Sequence, residues 1–535
     1  MAQTTFDYVI IGGGTAGCVL ANRLSEDGRS SVLLIEGGHK GEGFLNRVPA
    51  SSFMLIGNPR FDWIFPVAPD PTINDQVKTW SGGKLLGGSS SINGMVYLRG
   101  LKSDFDDWAG DGAEGWDWAA LHPYFLKSEN YTGPDLPSHA RGGPLTVSPS
   151  TEVHPLAHAF IRSCGALGMS KLDDYCAGEM FGSFLNLSTT RNGVRVSART
   201  AYLAPVRRRR NLTVRTGVLV DRILMDGTRA RGVETCGPNG RERVSAGREI
   251  ILSAGTLASP PILMRSGIGP ADHLRPYGID VVADLPGVGA NLQEHTALAV
   301  CHEVDVPTYN NMTGPVSLAS AGLRWLLTGK GPLASIAVHA MAYGRSSLSD
   351  GRADIIFSFI PIAVDHGPKG ITPHKRSGVT IGSNVARPHS RGVIHLETRD
   401  PYTRPNIAHP LFDDERDIVA AIDAVKMSEA MFRAPGLRDH FNGRINPPSL
   451  PLNEDEWVAY LRETASSGYH PVGTCRIGSD DRSVVNERLQ VRGIRGLRVV
   501  DASVMPRLVS GNTQAATYAV AERGADLIRE DRDAL

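Results

Sequence analysis

The first clear pattern of hydrophobic positions lies near the N-terminus. Residues 7–11 form a short β-branched run of the kind found in buried parallel strands, and they lead directly into the glycine-rich segment 12–17. Residues 18–24 then have a helical character, and a second apolar run, 31–35, ends in Glu36. This order predicts a strand, a tight turn, a helix and a second strand, which is the opening unit of a dinucleotide-binding fold.

The glycines of this segment have separate physical tasks. Gly12 permits the tight turn, Gly14 lets the backbone approach a pyrophosphate, and Gly17 allows the helix to pack closely on the strand. Glu36 ends the second strand, where a carboxylate accepts hydrogen bonds from ribose hydroxyls. The carboxylate argues against NADP, but it does not separate FAD from NAD. The predicted contacts here are Gly12, Gly14, Thr15, Ala16, Gly17 and Glu36.

Other apolar patterns lie further along the chain. Residues 249–255 predict another buried strand that ends in small residues, followed by a turn and a helix. Residues 353–362 and 392–396 alternate or cluster in the manner of sheet strands, and residues 413–432 have apolar positions at helical spacing. An alanine-rich helix is predicted over residues 515–528. The chain is therefore expected to mix helices with strands throughout.

Length and charge exclude some classes of protein. At 535 residues the chain exceeds what one hydrophobic core normally organises, so two or more domains are expected. Lys and Arg together number 56, as do Asp and Glu, and the resulting net charge of zero gives no general attraction to nucleic acid or to an anionic membrane. The basic run 207–210 precedes Asn211 and is interpreted as a solvated turn.

Cysteine spacing and hydropathy bear on the cellular compartment. The six cysteines show no C-x-x-C spacing, so neither a structural metal site nor a redox dithiol is predicted, and reduced thiols are expected. No apolar run approaches the ~18 residues of a membrane span. The strand pattern begins by about Phe6, which leaves no room for a signal peptide. We therefore expect a cytoplasmic protein without a membrane span or a bound metal.

A second glycine-rich segment covers residues 82–94. A P-loop is excluded because Leu85 follows Lys84, where that motif requires serine or threonine. We interpret the segment as backbone that closely approaches a flat or phosphorylated ligand. Residues 287–289 resemble half of another dinucleotide fingerprint, but Leu292 stands in place of its third glycine. A second dinucleotide site is therefore not expected.

Four segments together resemble the recurring blocks of one family, the glucose-methanol-choline (GMC) oxidoreductases. Residues 83–106 resemble the first signature of that family, and residues 255–269 resemble its second. Residues 286–295 and 496–506 are similar to two further blocks. The resemblance extends from about residue 5 to about residue 530.

The resemblance implies a fold class and a division into domains. The fold would be α/β (α+β overall), with a Rossmann-like FAD-binding domain and an interleaved antiparallel-sheet substrate-binding domain. The FAD-binding domain would be discontinuous and take residues 1–155, 205–300 and 470–535. The substrate-binding domain would take residues 156–204 and 301–469.

The resemblance also implies a bound FAD. Glu36 would hold the adenosine ribose, Val220 would meet the adenine through its backbone, and Asp501 would lie near the ribityl chain and the diphosphate. Some members link FAD covalently through a histidine in the first signature. Because Ile92 takes that position here, noncovalent FAD is expected. The other implied FAD contacts are Gly87, Gly88, Ser89, Asn93, Gly94, Ala254, Ala502, Asn512 and Thr513.

Two residues near the C-terminus carry the expected chemistry. His470 matches the family's catalytic histidine, and Asn512 matches the second position of the pair, whereas Gln514 departs from the asparagine usual in relatives. A neutral imidazole, with an ordinary pKa near ~6.5, suits removal of a hydroxyl proton, and the Asn512 amide can donate a hydrogen bond to a developing alkoxide. The expected reaction is oxidation of an alcohol to an aldehyde, with hydride transfer from the carbinol carbon to flavin N5 and His470 as general base.

The substrate and the electron acceptor stay open at this level. A primary alcohol (aryl, furanic or small polar) is favoured, with O2 or another compound as the acceptor, and the oligomeric state is not indicated. The alternative is a flavin-containing lyase, since hydroxynitrile lyases share this fold and histidine. Candidate substrate contacts are Tyr469, His339 and Trp63, although a hydrogen-bonded core histidine is the plainer interpretation of His339. His295 is expected to order the structure.

Overall fold

Two seven-stranded sheets organise the chain. The computed structural model describes residues 4–312, 314–367 and 370–534, and the parts of the predicted domain ranges at residues 1–3, 313, 368–369 and 535 lie outside these. In chain order, the strands of the two sheets are β1 (Thr5–Ile11), β2 (Val32–Glu36), β3 (Gly182–Leu185), β4 (Leu212–Thr216), β5 (Leu219–Asp226), β6 (Arg229–Gly237), β7 (Gly240–Leu252), β8 (Thr296–Val304), β9 (Ala340–Gly344), β10 (Ile355–Ile360), β11 (Gly378–Val385), β12 (Phe441–Asn446), β13 (Ser466–Ser467) and β14 (Leu497–Val499).

Helices cover both sheets. The longer ones are α1 (Thr15–Leu24), α2 (Lys102–Gly110), α3 (Trp118–Ser128), α4 (Pro155–Ala166), α5 (Pro315–Thr328), α6 (Glu415–Arg433), α7 (Glu454–Thr464) and α8 (Thr513–Asp533). Shorter helices are Ser52–Leu55, Ser259–Arg265 and Ala271–Leu274, and the remaining short strands form small sheets of two or three strands. Within the described ranges, no helix is both long enough and apolar enough to cross a membrane.

The first sheet is built on the predicted N-terminal unit. Its order is β4-β2-β1-β7-β6-β5, and β14 also pairs with β7. β4, β2, β1 and β14 run parallel to their neighbours, whereas β5 and β6 extend the sheet in antiparallel fashion from the first half of β7. All five residues of β2 are buried, as its continuous apolar run predicts for a parallel strand covered on both faces.

The second sheet is antiparallel throughout. Its order is β12-β8-β11-β10-β9-β3, and β13 pairs with β8. One face is buried against α4 and α6 through side chains such as Val300, Phe357 and Ile381. The other face turns toward the first sheet, because Met341 and Tyr343 belong to the same apolar core as β1 and β2. The predicted fold class is therefore confirmed.

Several predicted elements have different limits in the structure. The helix predicted over 515–528 is longer at both ends, and the strand predicted over 392–396 is Val393–His395, which pairs with Asn406–Ala408 outside the large sheets. The predicted boundary between residues 300 and 301 cuts through β8, whose nine residues all lie in the second sheet. Strand pairing continues through residue 300 without a break, so residues 296–300 lie in the second sheet, and the division into domains stays a prediction.

Candidate active site

The glycine turn between β1 and α1 leaves room for a phosphate. A Cβ added at Gly14 would have no atom within 4 Å, whereas one at Gly88 would lie 2.8 Å from the Gly14 Cα. At Gly12 the φ angle is +99° and a Cβ would meet the Ser253 carbonyl oxygen at 2.4 Å, so glycine is required. An open helix N-terminus framed by two glycine backbones, and begun by Thr15 and the buried Ala16, fits the pyrophosphate of a dinucleotide.

The Glu36 carboxylate lies beside this turn at the end of β2. Its two oxygens accept hydrogen bonds from the Gly13 N–H at 2.8 Å and the Gly38 N–H at 2.7 Å, and burial raises its pKa to about 7. The Val218 N–H donates to the Glu36 carbonyl at 3.1 Å, which sets the buried Val220 close by on β5. These positions fit the adenosine end of the cofactor that the sequence indicates.

The segment after Gly88 is tied to α8 by Asn93. The Asn93 amide donates to Gln514 Oε1 at 2.6 Å. Gln514, which replaces the asparagine usual in relatives, therefore has a structural role. The buried Arg195 donates to Asn93 O at 2.6 Å and to Ser52 Oγ at 2.8 Å, and desolvation lowers the Arg195 pKa to about 9. Sequence reasoning missed Arg195, because it lies outside the motifs and is brought to Asn93 only by the fold.

Asp501 connects three loops near the glycine turn. Its Oδ2 accepts from the Gly255 N–H at 2.8 Å and Ser259 Oγ at 2.7 Å, and its Oδ1 accepts from the Ser503 N–H at 2.8 Å. Burial raises the pKa of Asp501. The carboxylate is engaged by donors of the protein itself, and the parts of Asp501, Ala254 and Ala502 in cofactor binding stay predictions.

The remaining predicted FAD contacts lie along the second glycine-rich segment and at the start of α8. Gly87 has a φ of +89°, and Ser89 Oγ accepts from the Gly83 N–H at 3.2 Å. A Cβ at Gly94 would have no atom within 4 Å. Thr513 is the first residue of α8 and follows the N-cap Asn512.

The predicted reacting pair meets in the structure. His470 Nε2 lies 2.8 Å from Asn512 Nδ2, and His470 Nδ1 lies 2.9 Å from His295 Nδ1. On its far side, His295 Nε2 lies 3.1 Å from the Ala386 carbonyl oxygen. Burial lowers the pKa of His470 well below its ordinary value, and the neighbouring His295 ring lowers it further. Burial lowers the pKa of His295 to about 4, so both rings are neutral at neutral pH.

Hydrogen-bond chemistry then assigns the protons on both rings. The Ala386 carbonyl oxygen only accepts, so His295 Nε2 carries the proton and its Nδ1 is an acceptor. His470 therefore donates through Nδ1 and keeps its lone pair on Nε2, toward which the Asn512 amide donates. His470 is therefore a neutral base whose Nε2 lone pair accepts a hydrogen bond from the Asn512 amide.

Glu294 and His295 hold His470 in this orientation. The Glu294 carboxylate accepts hydrogen bonds from the backbone N–H of His470 at 2.8 Å and from the backbone N–H of His295 at 2.8 Å. Its complete burial raises the pKa of Glu294 to about 8. Glu294 was missed by sequence reasoning, and His295 was assigned only a structural part. Both stand in the block 286–295, and only the fold brings them to His470.

The loop that carries Asn512 is anchored by α2 and by the second sheet. Asp104, at the start of α2, accepts from the Ser510 N–H at 2.6 Å and Ser510 Oγ at 2.8 Å. Tyr343, on β9, donates its hydroxyl proton to the Ser510 carbonyl oxygen at 2.7 Å. Asp104 lies within the first signature, whereas no signal in the sequence marked Tyr343.

The three candidate substrate contacts differ in their exposure and in the residues that they contact. The Tyr469 side chain is 49% exposed beside His470, and its role stays a prediction. His339 is buried, accepts from the His154 N–H at 2.9 Å and pairs with Ser335 Oγ at 2.8 Å, so it is a hydrogen-bonded core residue. The Trp63 ring lies beside Gly37 and Leu219, and its part as a substrate contact stays a prediction.

Comparisons with known proteins agree with this arrangement. The family models for GMC oxidoreductase match residues 6–297 and 388–521. An oxygen-dependent choline dehydrogenase of Pseudomonas aeruginosa (strain LESB58) is 39% identical, and the match covers 98% of this chain and 94% of that protein. The crystal structure of pyridoxine 4-oxidase from Mesorbium loti is 32% identical with a TM-score of 0.89, and the match covers 98% of this chain and 99% of that one.

A fungal aryl-alcohol oxidase is a more distant structural relative. It is 25% identical with a TM-score of 0.85, and the match covers 99% of this chain and 100% of that one. The named relatives are dehydrogenases and oxidases, and they give the lyase alternative no support. The chain therefore belongs to the GMC oxidoreductases, as an FAD-dependent enzyme that acts on CH–OH donors.

Proposed function

We propose that this chain oxidises an alcohol to the aldehyde with His470 as the general base. One observation carries the proposal: His470 is neutral, and its Nε2 lone pair faces the Asn512 amide, 2.8 Å away. A neutral imidazole beside an amide donor can take a hydroxyl proton and then stabilise the alkoxide oxygen. The cradle of Gly12, Gly14 and Glu36, whose geometry suits a dinucleotide, supports the proposal.

Side chains of the protein accept the hydroxyl proton of the alcohol and stabilise the oxygen that loses it. His470 Nε2 accepts it from the alcohol hydroxyl, while His470 Nδ1 continues to donate to His295 Nδ1, so the imidazolium that forms has an acceptor. The Asn512 amide donates to the alkoxide oxygen. FAD, when bound, supplies the acceptor for the hydride that leaves the carbinol carbon. Loss of one proton and one hydride converts R–CH2–OH into R–CHO, so atoms and electrons balance.

The experiment that tests the reaction is an anaerobic titration of the purified yellow holoenzyme with a panel of primary alcohols. We expect at least one alcohol to bleach the oxidised flavin absorbance, and readmission of air or an added acceptor to restore it. A flavin that no alcohol in a broad panel reduces would contradict the proposed function. Recovery in air alone identifies O2 as an acceptor, whereas recovery only with an added quinone or dye identifies a dehydrogenase.

The FAD is proposed to be noncovalent. Ile92, at the position where some relatives carry the linking histidine, is buried among Leu55, Phe61 and Leu85 and offers no nucleophile. We expect acid precipitation of the holoenzyme to leave a colourless pellet and to release FAD into the supernatant. Flavin that stays with the washed pellet would show a covalent link.

A cytoplasmic location is also proposed. All six cysteines lie within the described ranges, are buried and form no disulfide, which suits a reducing compartment. Fractionation of cells that express the chain is expected to place it with the cytoplasmic markers. Recovery with the periplasm or the membrane pellet would contradict this.

A further inference from the structure

We propose that the substrate is an uncharged alcohol carried on a planar ring, and that it lies on the second sheet beneath His470 and Asn512. This substrate class rests on the proposed alcohol oxidation and deepens it. It separates the chain from its choline dehydrogenase relative, because choline carries a permanent positive charge.

One row of side chains across the second sheet joins the two halves of the reacting pair. At one end of the row, Asn384 Nδ2 would lie 2.8 Å from a Cβ added at Gly468, two residues before His470. At the other end, the Tyr343 hydroxyl holds the loop that leads to Asn512. This face of the sheet therefore forms a floor under the pair. Across β8, β11, β10 and β9, the row consists of Ala297, Asn384, Ile356 and Tyr343.

The floor is open over its three central strands. Residues on the opposite face of these strands are buried against α4 and α6, but five positions on the floor are only half-buried. A Cβ added at Gly382 would meet no atom closer than 3.8 Å, so a methyl group fits there without a clash. The five open positions are Ala297, Ala299, Ser358, Gly382 and Asn384.

The open positions are small and carry no charge. Glu303, further along the same face of β8, is the first acidic residue of that strand, and it is paired with Arg376 at 2.6 Å. The Glu294 carboxylate lies behind His470, where backbone N–H groups occupy it. A quaternary ammonium group requires an aromatic cage or a carboxylate in contact, and the floor offers neither.

The same surface suits a flat neutral ring. Small side chains on a sheet leave a shallow slot against which a ring can stack, and ligand sites typically combine such apolar surface with a few polar groups. Among the residues that the structure describes, the Asn384 amide and the Ser358 hydroxyl have no hydrogen-bond partner. They are therefore available to a polar substituent of the ring.

The test measures binding and reaction separately. Anaerobic calorimetric titration of the reduced holoenzyme, which cannot oxidise the alcohol, gives the Kd for 4-methoxybenzyl alcohol and for choline. Anaerobic stopped flow with the oxidised holoenzyme gives the rate of flavin reduction by each and by ethanol. We expect 4-methoxybenzyl alcohol to exceed choline in kcat/KM by roughly a hundredfold or more. Choline that binds and reduces the flavin as well as the ring alcohol does would overturn the inference and leave the proposed function standing.

Variants of the floor sharpen the test. Gly382→Val fills the free space, and Ala299→Leu fills it from the neighbouring strand if the first variant does not fold. Each is expected to raise the Kd for 4-methoxybenzyl alcohol roughly tenfold or more, with the FAD content of the purified protein unchanged. The matched control is Gly247→Val on β7, where the new Cβ would meet no atom closer than 3.6 Å and which lies in the first sheet.

An isosteric substitution at Asn384 places a negative charge on the floor. Asn384→Asp is expected to improve the kcat/KM for choline roughly tenfold or more and to weaken binding of the ring alcohol. If the folded variants leave the Kd for 4-methoxybenzyl alcohol unchanged, the ring does not lie on this floor and the inference is wrong. If the ring alcohol binds, is displaced by Gly382→Val, and yet no alcohol reduces the flavin, the floor is confirmed and the proposed oxidation fails.

Discussion

His470 is the residue whose removal tests the chemistry most directly. We expect His470→Ala to lower kcat by about 10²–10⁴-fold, the usual contribution of a positioned general base, and to keep its FAD, since the imidazole contacts His295 and Asn512 and not the glycine cradle. Steady-state rates normalised to flavin content provide the measurement, with the exposed His158→Ala as the matched control. Loss of FAD from a folded His470→Ala variant would show a structural role instead.

The acid limb of the pH profile follows from the same residue. The base must be neutral to accept a proton, and the neutral fraction falls only when the pH drops below the pKa of His470. Because burial and His295 lower that pKa, the loss of activity is expected at a pH well below 6.5. The dependence of kcat/KM on pH, measured where FAD stays bound, checks this. An acid limb at or above 6.5 would contradict the neutral, buried histidine pair.

At the scale of the element, the N-terminus of α8 is expected to influence the flavin midpoint potential. Asn512 is its N-cap and Thr513 its first residue, so the partial positive charge of a 21-residue helix begins at the reacting pair. A negative charge there opposes the anionic reduced flavin. We expect Thr513→Glu to lower the flavin midpoint potential by on the order of 10 mV or more, measured by dye equilibration. Ala534→Glu, at the far end of the helix, is the control. Equal midpoint potentials in the two variants would show that the N-terminus of α8 does not act on the flavin.

At the scale of the whole molecule, Tyr343 connects the second sheet to the loop that precedes α8. Its hydroxyl reaches from β9 in the second sheet to Ser510, in the loop before α8. Tyr343→Phe leaves the buried Ser510 carbonyl oxygen without this donor, at a cost of about 1–3 kcal/mol in the apparent free energy of unfolding. We also expect a lower kcat with FAD retained, because the Asn512 loop loses an anchor. Urea denaturation and steady-state rates measure the two effects.

The exposed Tyr402→Phe is the matched control for Tyr343→Phe. Unchanged stability and unchanged kcat in Tyr343→Phe would mean that the contact contributes nothing to either property. A loss of stability with full activity would assign Tyr343 to the fold alone.

The sequence by itself determined the features whose causes are local along the chain. The turn of Gly12 and Gly14, the acid at Glu36 and the strand on either side of them depend on neighbouring residues, so their spacing predicted them. His470 and Asn512 were predicted as a pair through resemblance to a family. The fold class was predicted from the same blocks, and it is confirmed.

Only the tertiary structure decided what depends on contacts between distant segments. His295 is 175 residues from His470, yet it determines which nitrogen of that ring keeps its lone pair. The row from Ala297 to Tyr343 exists only because four strands from different parts of the chain pair side by side. The neighbours of Trp63 could not be predicted for the same reason: an aromatic residue in a loop has no local signal for the surface that it will cover. Local patterns encode strands and turns, whereas strand order and side-chain proximity follow from packing the whole chain.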